Sequence, residues 1–238
     1  MAAAGTTTAI HHWGEESPPP TLKAGEIHVW LAWVDGQQDE GFWELLSDEE
    51  KRRAARLLNP QRSKRFVVTH GILRRLLGAY LGQDPGALTF RSGSQGKPAL
   101  VGAAEKMLSF NLSHSEDMAA YVIAKGRDVG IDIERIRPID DLESMAAMAL
   151  SSSEWNNIKE ETAEERLRHF YVLWTRKEAI LKVTGKGLTV SMKAVKLLNF
   201  KSTPETSEIL LPDGRKCQVI DLPLDEGYIG AVATAPEV

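Results

Sequence analysis

A single cysteine, Cys217, stands among the 238 residues. The chain therefore forms no intramolecular disulfide and no cysteine-held metal cluster, and a reducing, cytoplasmic setting is expected. Long hydrophobic runs are also missing. Ile27–Val34 stops far short of the ~20 apolar residues that span a bilayer, and His28 interrupts it. No charge excess exists either: 29 Lys plus Arg against 33 Asp plus Glu leave a formal net charge of −4. No broad positive field gathers nucleic acid or anionic lipid, so neither nucleic acid nor membrane is expected as a partner. An anionic ligand would need a local basic pocket, and no Walker-type phosphate loop is present to supply one. The start of the chain, closing on Ser17-Pro18-Pro19-Pro20, has neither a basic opening nor an apolar core of signal-peptide length. Residues 1–24 are expected to form a flexible leader, because a proline-rich, low-complexity stretch buries too little to offset its ordering entropy.

What is there is ordinary globular material, 42% hydrophobic and 26% charged, enough for one large domain or two of about 100 residues. Glu26–Val34 is β-branched and aromatic and predicts a strand. Ser47 followed by Asp48-Glu49-Glu50 and a basic end predicts a capped helix that stops at Asn59-Pro60. Apolar spacing predicts a second helix over Ser63–Leu81. Short strands are expected at Leu88–Phe90, Pro98–Leu100 and Leu108–Leu112, and stronger ones at Met118–Ala124 and Val129–Glu134. Helices then follow over Leu142–Leu150, Ser153–Ile158 and Thr162–Thr184, the last ended by Gly185. A meander closes the chain. Setting Gly71 against Glu178 also places Leu73 on Ile180, Leu76 on Val183 and Gly78 on Gly185, a weak echo that suggests a strand-and-helix half used twice.

Three clusters carry candidate chemistry. Alternation along Val129–Glu134 puts Asp132 and Glu134 on one strand face, where two carboxylates suit a hard divalent cation and equally suit a solvated surface. Trp174, Glu178 and Lys182 recur at steps of four on one helix stripe, either a functional row or a core tryptophan beside a surface ion pair. The flexible Gly185-Lys186-Gly187 loop follows. Finally, Gly93–Pro98 presents Lys97 in a turn, and Asn111–Ser115 brings hydroxyls and His114 to a strand end, donors fit for phosphate or for local turn bonds.

Taken in order, Gly96-Lys97-Pro98, Phe110–Ser115, Val129–Glu134 and Trp174–Lys182 closely resemble the motifs of Sfp-type 4′-phosphopantetheinyl transferases, in their W/KEA branch. The resemblance runs from about Ser47 to Leu188. It implies an α+β fold of two similar halves related by a pseudo-two-fold, residues 25–127 and 128–238, with the ligand in the cleft between them. The implied reaction moves the phosphopantetheine arm of coenzyme A to a serine of an acyl or peptidyl carrier protein and releases 3′,5′-ADP. By the same resemblance Asp132, Glu134 and Glu178 would hold Mg²⁺, with Glu178 also the base and Lys182 on the α-phosphate. Arg65, Ser113 and His114 would meet the 3′-phosphate, with Lys97 and the Gly96 backbone near the adenine, Arg53 as a further phosphate contact, and Pro98 also among the coenzyme A-binding residues. Glu50 departs from relatives that carry lysine at that place, and Lys51 is the candidate substitute. A monomer is expected. Two other classes use the same groups: a metal-dependent phosphodiesterase or pyrophosphatase, and a non-catalytic coenzyme A-binding protein.

Overall fold

A computed structural model describes residues 6–14, 19–37, 41–92, 98–184, 191–197, 207–211 and 214–235. In chain order come β1 (Thr7–His12), β2 (Glu26–Trp33), α1 (Phe42–Leu45), α2 (Asp48–Ala55), α3 (Pro60–Leu81), β3 (Phe90–Ser92), β4 (Pro98–Leu100), α4 (Ala103–Met107), β5 (Ser109–Ser115) and β6 (Met118–Ala124). The second half holds β7 (Val129–Arg135), α5 (Leu142–Ala149), α6 (Ser152–Ile158), α7 (Ala163–Thr184), β8 (Ser207–Leu210), β9 (Lys216–Asp221) and β10 (Tyr228–Thr234).

Local chemistry explains the helix starts. Ser47 caps α2 and shares a capping box with Glu50. Ser151 and Glu154 do the same for α6. Asn59-Pro60 was read above as the end of one helix. It is also the start of the next, because the Asn59 side chain accepts from the Arg62 N–H and Pro60 has no N–H to leave unpaired.

The strands form two four-stranded sheets, ordered β1-β2-β6-β5 and β7-β10-β9-β8, plus the small β3-β4 pair. Each half repeats one plan: a first strand, a 22-residue helix (α3 or α7), then an antiparallel hairpin whose last strand returns beside the first. The fold is α+β. One buried cluster lies between α3 and the first sheet, around Trp30, Leu73 and Tyr121. Another lies between α7 and the second sheet, around Phe170, Ile180 and Ala233. A third, holding Val29, Val122, Ile131 and Val232, is shared by the two sheets, which pack face to face.

The leader expectation fails for Thr7–His12. These residues form β1, which pairs parallel with β2 from Thr7↔Glu26 to His12↔Leu31. His11 lies against the rings of Trp30 and His28, and the sheet edge offers backbone partners that composition does not reveal. The short helices α1 and α4 were likewise absent from the sequence reading, being too brief to show a period.

Candidate active site

The edge strand of each sheet meets the other. β5 ends the first sheet and β7 ends the second, and side chains of β5 bond to the outward N–H groups of β7. On its far side β7 lies hard against α7: a Cβ on Gly130 would fall 2.1 Å from the Ala179 carbonyl and 2.9 Å from Lys182 Cβ. Only glycine permits that approach. It delivers the Glu178–Lys182 turn of α7 onto Asp132, one pleat further along the strand.

Lys182 Nζ donates to Asp132 Oδ1 at 2.7 Å and to the Ile131 carbonyl at 2.8 Å. Ser113 donates to the same Asp132 oxygen at 3.0 Å, and Ser115 donates to Glu134 at 2.7 Å. Burial raises the Asp132 carboxyl above its ordinary value, with Lys182 and Ser113 opposing. Glu134 is raised first by burial, then by the Asp132 charge. Glu178 follows the same pattern, raised by burial and by Asp132 and lowered by Lys182. Glu134 and Glu178 both feel the Asp132 carboxylate as a like charge.

A cavity of about 850 Å³ opens in front of this turn. Glu178, Leu181 and Lys182 of α7 line it together with Asn111–His114, residues 86–91, Pro98, and residues of α2 and α3, Arg53, Phe66, His70 and Arg74 among them. Of the sequence-predicted residues, Arg53, Pro98, Ser113, His114, Glu178 and Lys182 line this space. Asp132 and Glu134 stand behind it, tied to Lys182 and Ser115. Arg65 is held by Asp35 at 2.6 Å and Glu116 at 3.1 Å, outside the lining. Gly96, Lys97 and the Gly185-Lys186-Gly187 loop lie outside the described residues. Trp174 joins the second half's core near Phe170 rather than the cavity.

Lys51 sits over Trp43 and beside Glu44, away from the cavity, and does not replace a lysine at Glu50. Glu50 itself is committed. It completes the α2 capping box and accepts twice from Arg74, at 2.9 and 2.7 Å. Although burial opposes its ionisation, those donors hold the carboxyl below its ordinary range. Arg74 turns inward. It is 1% exposed, with Nη1 spent on the Pro85 and Leu88 carbonyls. His70 also reaches the cavity, stacked on Phe66 at 3.8 Å. Burial pushes its imidazole down to about 4. Neither residue was signalled by any motif, since both depend on where α3 meets α2. Burial and then the Lys182, Arg65 and Arg53 cations lower the His114 imidazole at the cavity wall, and an anion bound beside it would favour its protonated form.

The carboxylates fit a hard divalent cation in one specific respect. Asp132 Oδ2 is buried and takes no hydrogen bond in the structure, a lone acceptor that a cation would satisfy. Among the described residues no three His, Cys, Asp or Glu side chains close into a ready-made cage. Mg²⁺ needs none, because it is commonly held by one or two carboxylates with water and substrate phosphates completing the shell.

A cavity that carries both cations and carboxylates, with Asp132 and Glu134 behind it, is set where two repeated α+β halves join and suits an enzyme that handles phosphate esters. Residues 128–233 match the 4′-phosphopantetheinyl transferase superfamily model, and residues 34–126 match the model of a 4′-phosphopantetheinyl transferase N-terminal region. The chain is 36% identical over 229 residues to the 4′-phosphopantetheinyl transferase HetI of Nostoc sp., covering 94% of each chain. It is 27% identical over 202 residues to the transferase Sfp of Bacillus subtilis, covering 84% of this chain and 86% of that one. Against the transferase AcpT of Salmonella typhimurium it is 45% identical over 93 residues, 39% of this chain and 47% of the other. The chain belongs to the 4′-phosphopantetheinyl transferase superfamily and is an enzyme of that activity. Among the described residues no helix is long and apolar enough to cross a membrane.

Proposed function

We propose that the protein is a cytoplasmic, monomeric enzyme that transfers the 4′-phosphopantetheine arm of coenzyme A to a serine of an acyl or peptidyl carrier protein. The observation that carries this reading is the Lys182–Asp132 contact at the 850 Å³ cavity, with Glu178, Arg53 and His114 in the same lining. The spread of charge suits a long ligand with a diphosphate at one end and a separate phosphate at the other.

In this reading Asp132, Glu134 and Glu178 would hold Mg²⁺, which would supply positive charge to neutralise the diphosphate. Glu178 accepts the proton of the carrier serine. The serine oxygen then bonds to the phosphorus bearing pantetheine, and the phosphoryl bridge opens toward 3′,5′-ADP. Lys182, released from Asp132 Oδ1, follows the charge on the departing phosphate. The remote phosphate is met by Arg53 and His114, with Arg65 joining if Asp35 and Glu116 yield it. Gly96, Lys97 and Pro98 flank the adenine. The two halves, residues 25–127 and 128–238, then work as one cleft.

Incubation with labelled coenzyme A, Mg²⁺ and a panel of apo carrier proteins, read by intact mass, tests the proposal. The expected result is a phosphopantetheine-sized mass gain on at least one carrier, with release of 3′,5′-ADP only when a carrier is present. Release without a carrier would mean hydrolysis, and binding without release would mean a non-catalytic protein.

A further inference from the structure

β5 and β7 are edge strands that face one another without forming a backbone ladder. Alternate side chains of β5 instead receive alternate N–H groups of β7: Ile131 donates to Asn111 at 3.0 Å, Ile133 to Ser113 at 3.4 Å and Arg135 to Ser115 at 3.1 Å. The period of two on both strands keeps all three in step. Each serine oxygen that takes a β7 N–H has that lone pair occupied, so the direction of its own hydroxyl hydrogen is fixed. That hydrogen goes to a carboxylate on the second half: Ser113 to Asp132 and Ser115 to Glu134. Backbone N–H, hydroxyl and carboxylate thus run as two parallel chains across the junction of the halves, with both serines buried.

We propose that Ser113 and Ser115 are positioning residues, hydroxyls on the first half that set the Asp132 and Glu134 carboxylates of the second half for the divalent cation. This rests on the reading that those carboxylates hold the metal. Outer donors of this kind orient ligands and change metal affinity without touching the ion. The two halves are then coupled through the site itself: a shift of β5 along β7 turns both carboxylates at once.

The test is Mn²⁺ titration of the full chain saturated with coenzyme A, followed by loss of the free-ion EPR signal, on the parent and on Ser115→Ala, Ser115→Thr, Ser113→Ala and Asp132→Ala. Ser115→Ala is expected to weaken Mn²⁺ about tenfold, with coenzyme A affinity in EDTA unchanged and with recovery in Ser115→Thr. Ser113→Ala should behave alike toward Mn²⁺. If Ser115→Ala does not fold, Ser115→Cys keeps the volume while giving up the strong donor, and the same loss is expected. Unchanged Mn²⁺ affinity in the folded serine variants, beside a clear loss in Asp132→Ala, overturns the positioning role alone. A parent that binds no Mn²⁺, or an Asp132→Ala variant that binds it as well as the parent, overturns the metal reading and this proposal with it.

Discussion

Glu178 shows how much of this site is set by opposing forces on one side chain. Its carboxyl is raised above the usual 4.5 by burial and by Asp132, while Lys182 one turn away opposes the shift. A group whose pKa is raised on folding contributes stability below its unfolded pKa and loses it as pH climbs through the folded value. At neutral pH the ionised Glu178 is therefore a burden on the fold. Glu178→Gln should raise the melting temperature at pH 7.5, and the gain should vanish below about pH 4, where the parent residue is protonated in both states. On the proposed reading the same variant should lose transfer by two or more orders of magnitude, because the base and a ligand of the divalent cation go together. Differential scanning calorimetry across pH, beside a transfer assay, checks both halves of this expectation. A variant less stable than its parent at neutral pH would refute the electrostatic account.

His114 belongs to the same scale. Removing its imidazole should raise KM for coenzyme A more than it lowers kcat, since a contact remote from the reacting phosphorus binds ground and transition states alike. Comparing coenzyme A with its 3′-dephospho form on His114→Ala should show the parent's discrimination reduced. Full retention of that discrimination would remove His114 from the phosphate site.

At the level of elements, two contacts hold α7 in working register. Gly130 lets the helix lie on β7, and Gly130→Ala must push its methyl into the Ala179 carbonyl. Overpacking of this sort costs roughly 1–3 kcal/mol, and here it also drives Glu178 and Lys182 away from Asp132. Activity should fall further than the melting temperature suggests, with Leu181, on the same turn, serving as a position whose conservative change to Met leaves activity largely intact. The second contact is Lys177, which is 0% exposed. The lysine of the Trp174–Lys182 motif points away from the cavity and donates to Glu154 at 2.8 Å and to the Met192 and Val195 carbonyls at 3.0 and 2.7 Å. It ties α7 to α6 and to the 192–197 segment. Lys177→Met strands the buried Glu154 carboxylate and is expected to cost about 3–5 kcal/mol, whereas the double change with Glu154→Leu should recover much of it. Thermal melts of the two variants and the parent decide the point.

Across the whole molecule the net charge of −4 makes a carrier encounter depend on a local surface. α5 follows β7 in the chain, and its Met148 is 67% exposed, whereas Met145 packs partly into the second core and Leu150 is 2% exposed within it. Of these three apolar side chains, Met148 is the one left for a partner. Arg135, the last residue of β7, and Arg137 after it are also exposed, ion-paired to Asp117 and Glu116. Met148→Glu should raise KM for an acidic carrier several-fold and leave coenzyme A affinity and melting temperature unchanged. An unaltered carrier KM would place docking elsewhere.

Periodicity and capping chemistry alone determined most of the secondary structure. The alternation of Val129–Glu134, the capping signal at Ser47 and the glycine-bounded turns are local properties, expressed by any chain that carries those residues. The order and type of residues in four short motifs likewise carried the family resemblance and the Glu178–Lys182 and Ser113–His114 parts of the cavity lining. Tertiary structure decided what depends on separate segments meeting: β1 joining a sheet edge, Arg74 turning inward to Glu50, Lys177 serving the core while Glu178 beside it serves the site, and Ser115 reaching Glu134 across the junction. Each is a contact between residues far apart in sequence, and single-chain periodicity reports which face a side chain occupies but not what the fold brings to that face.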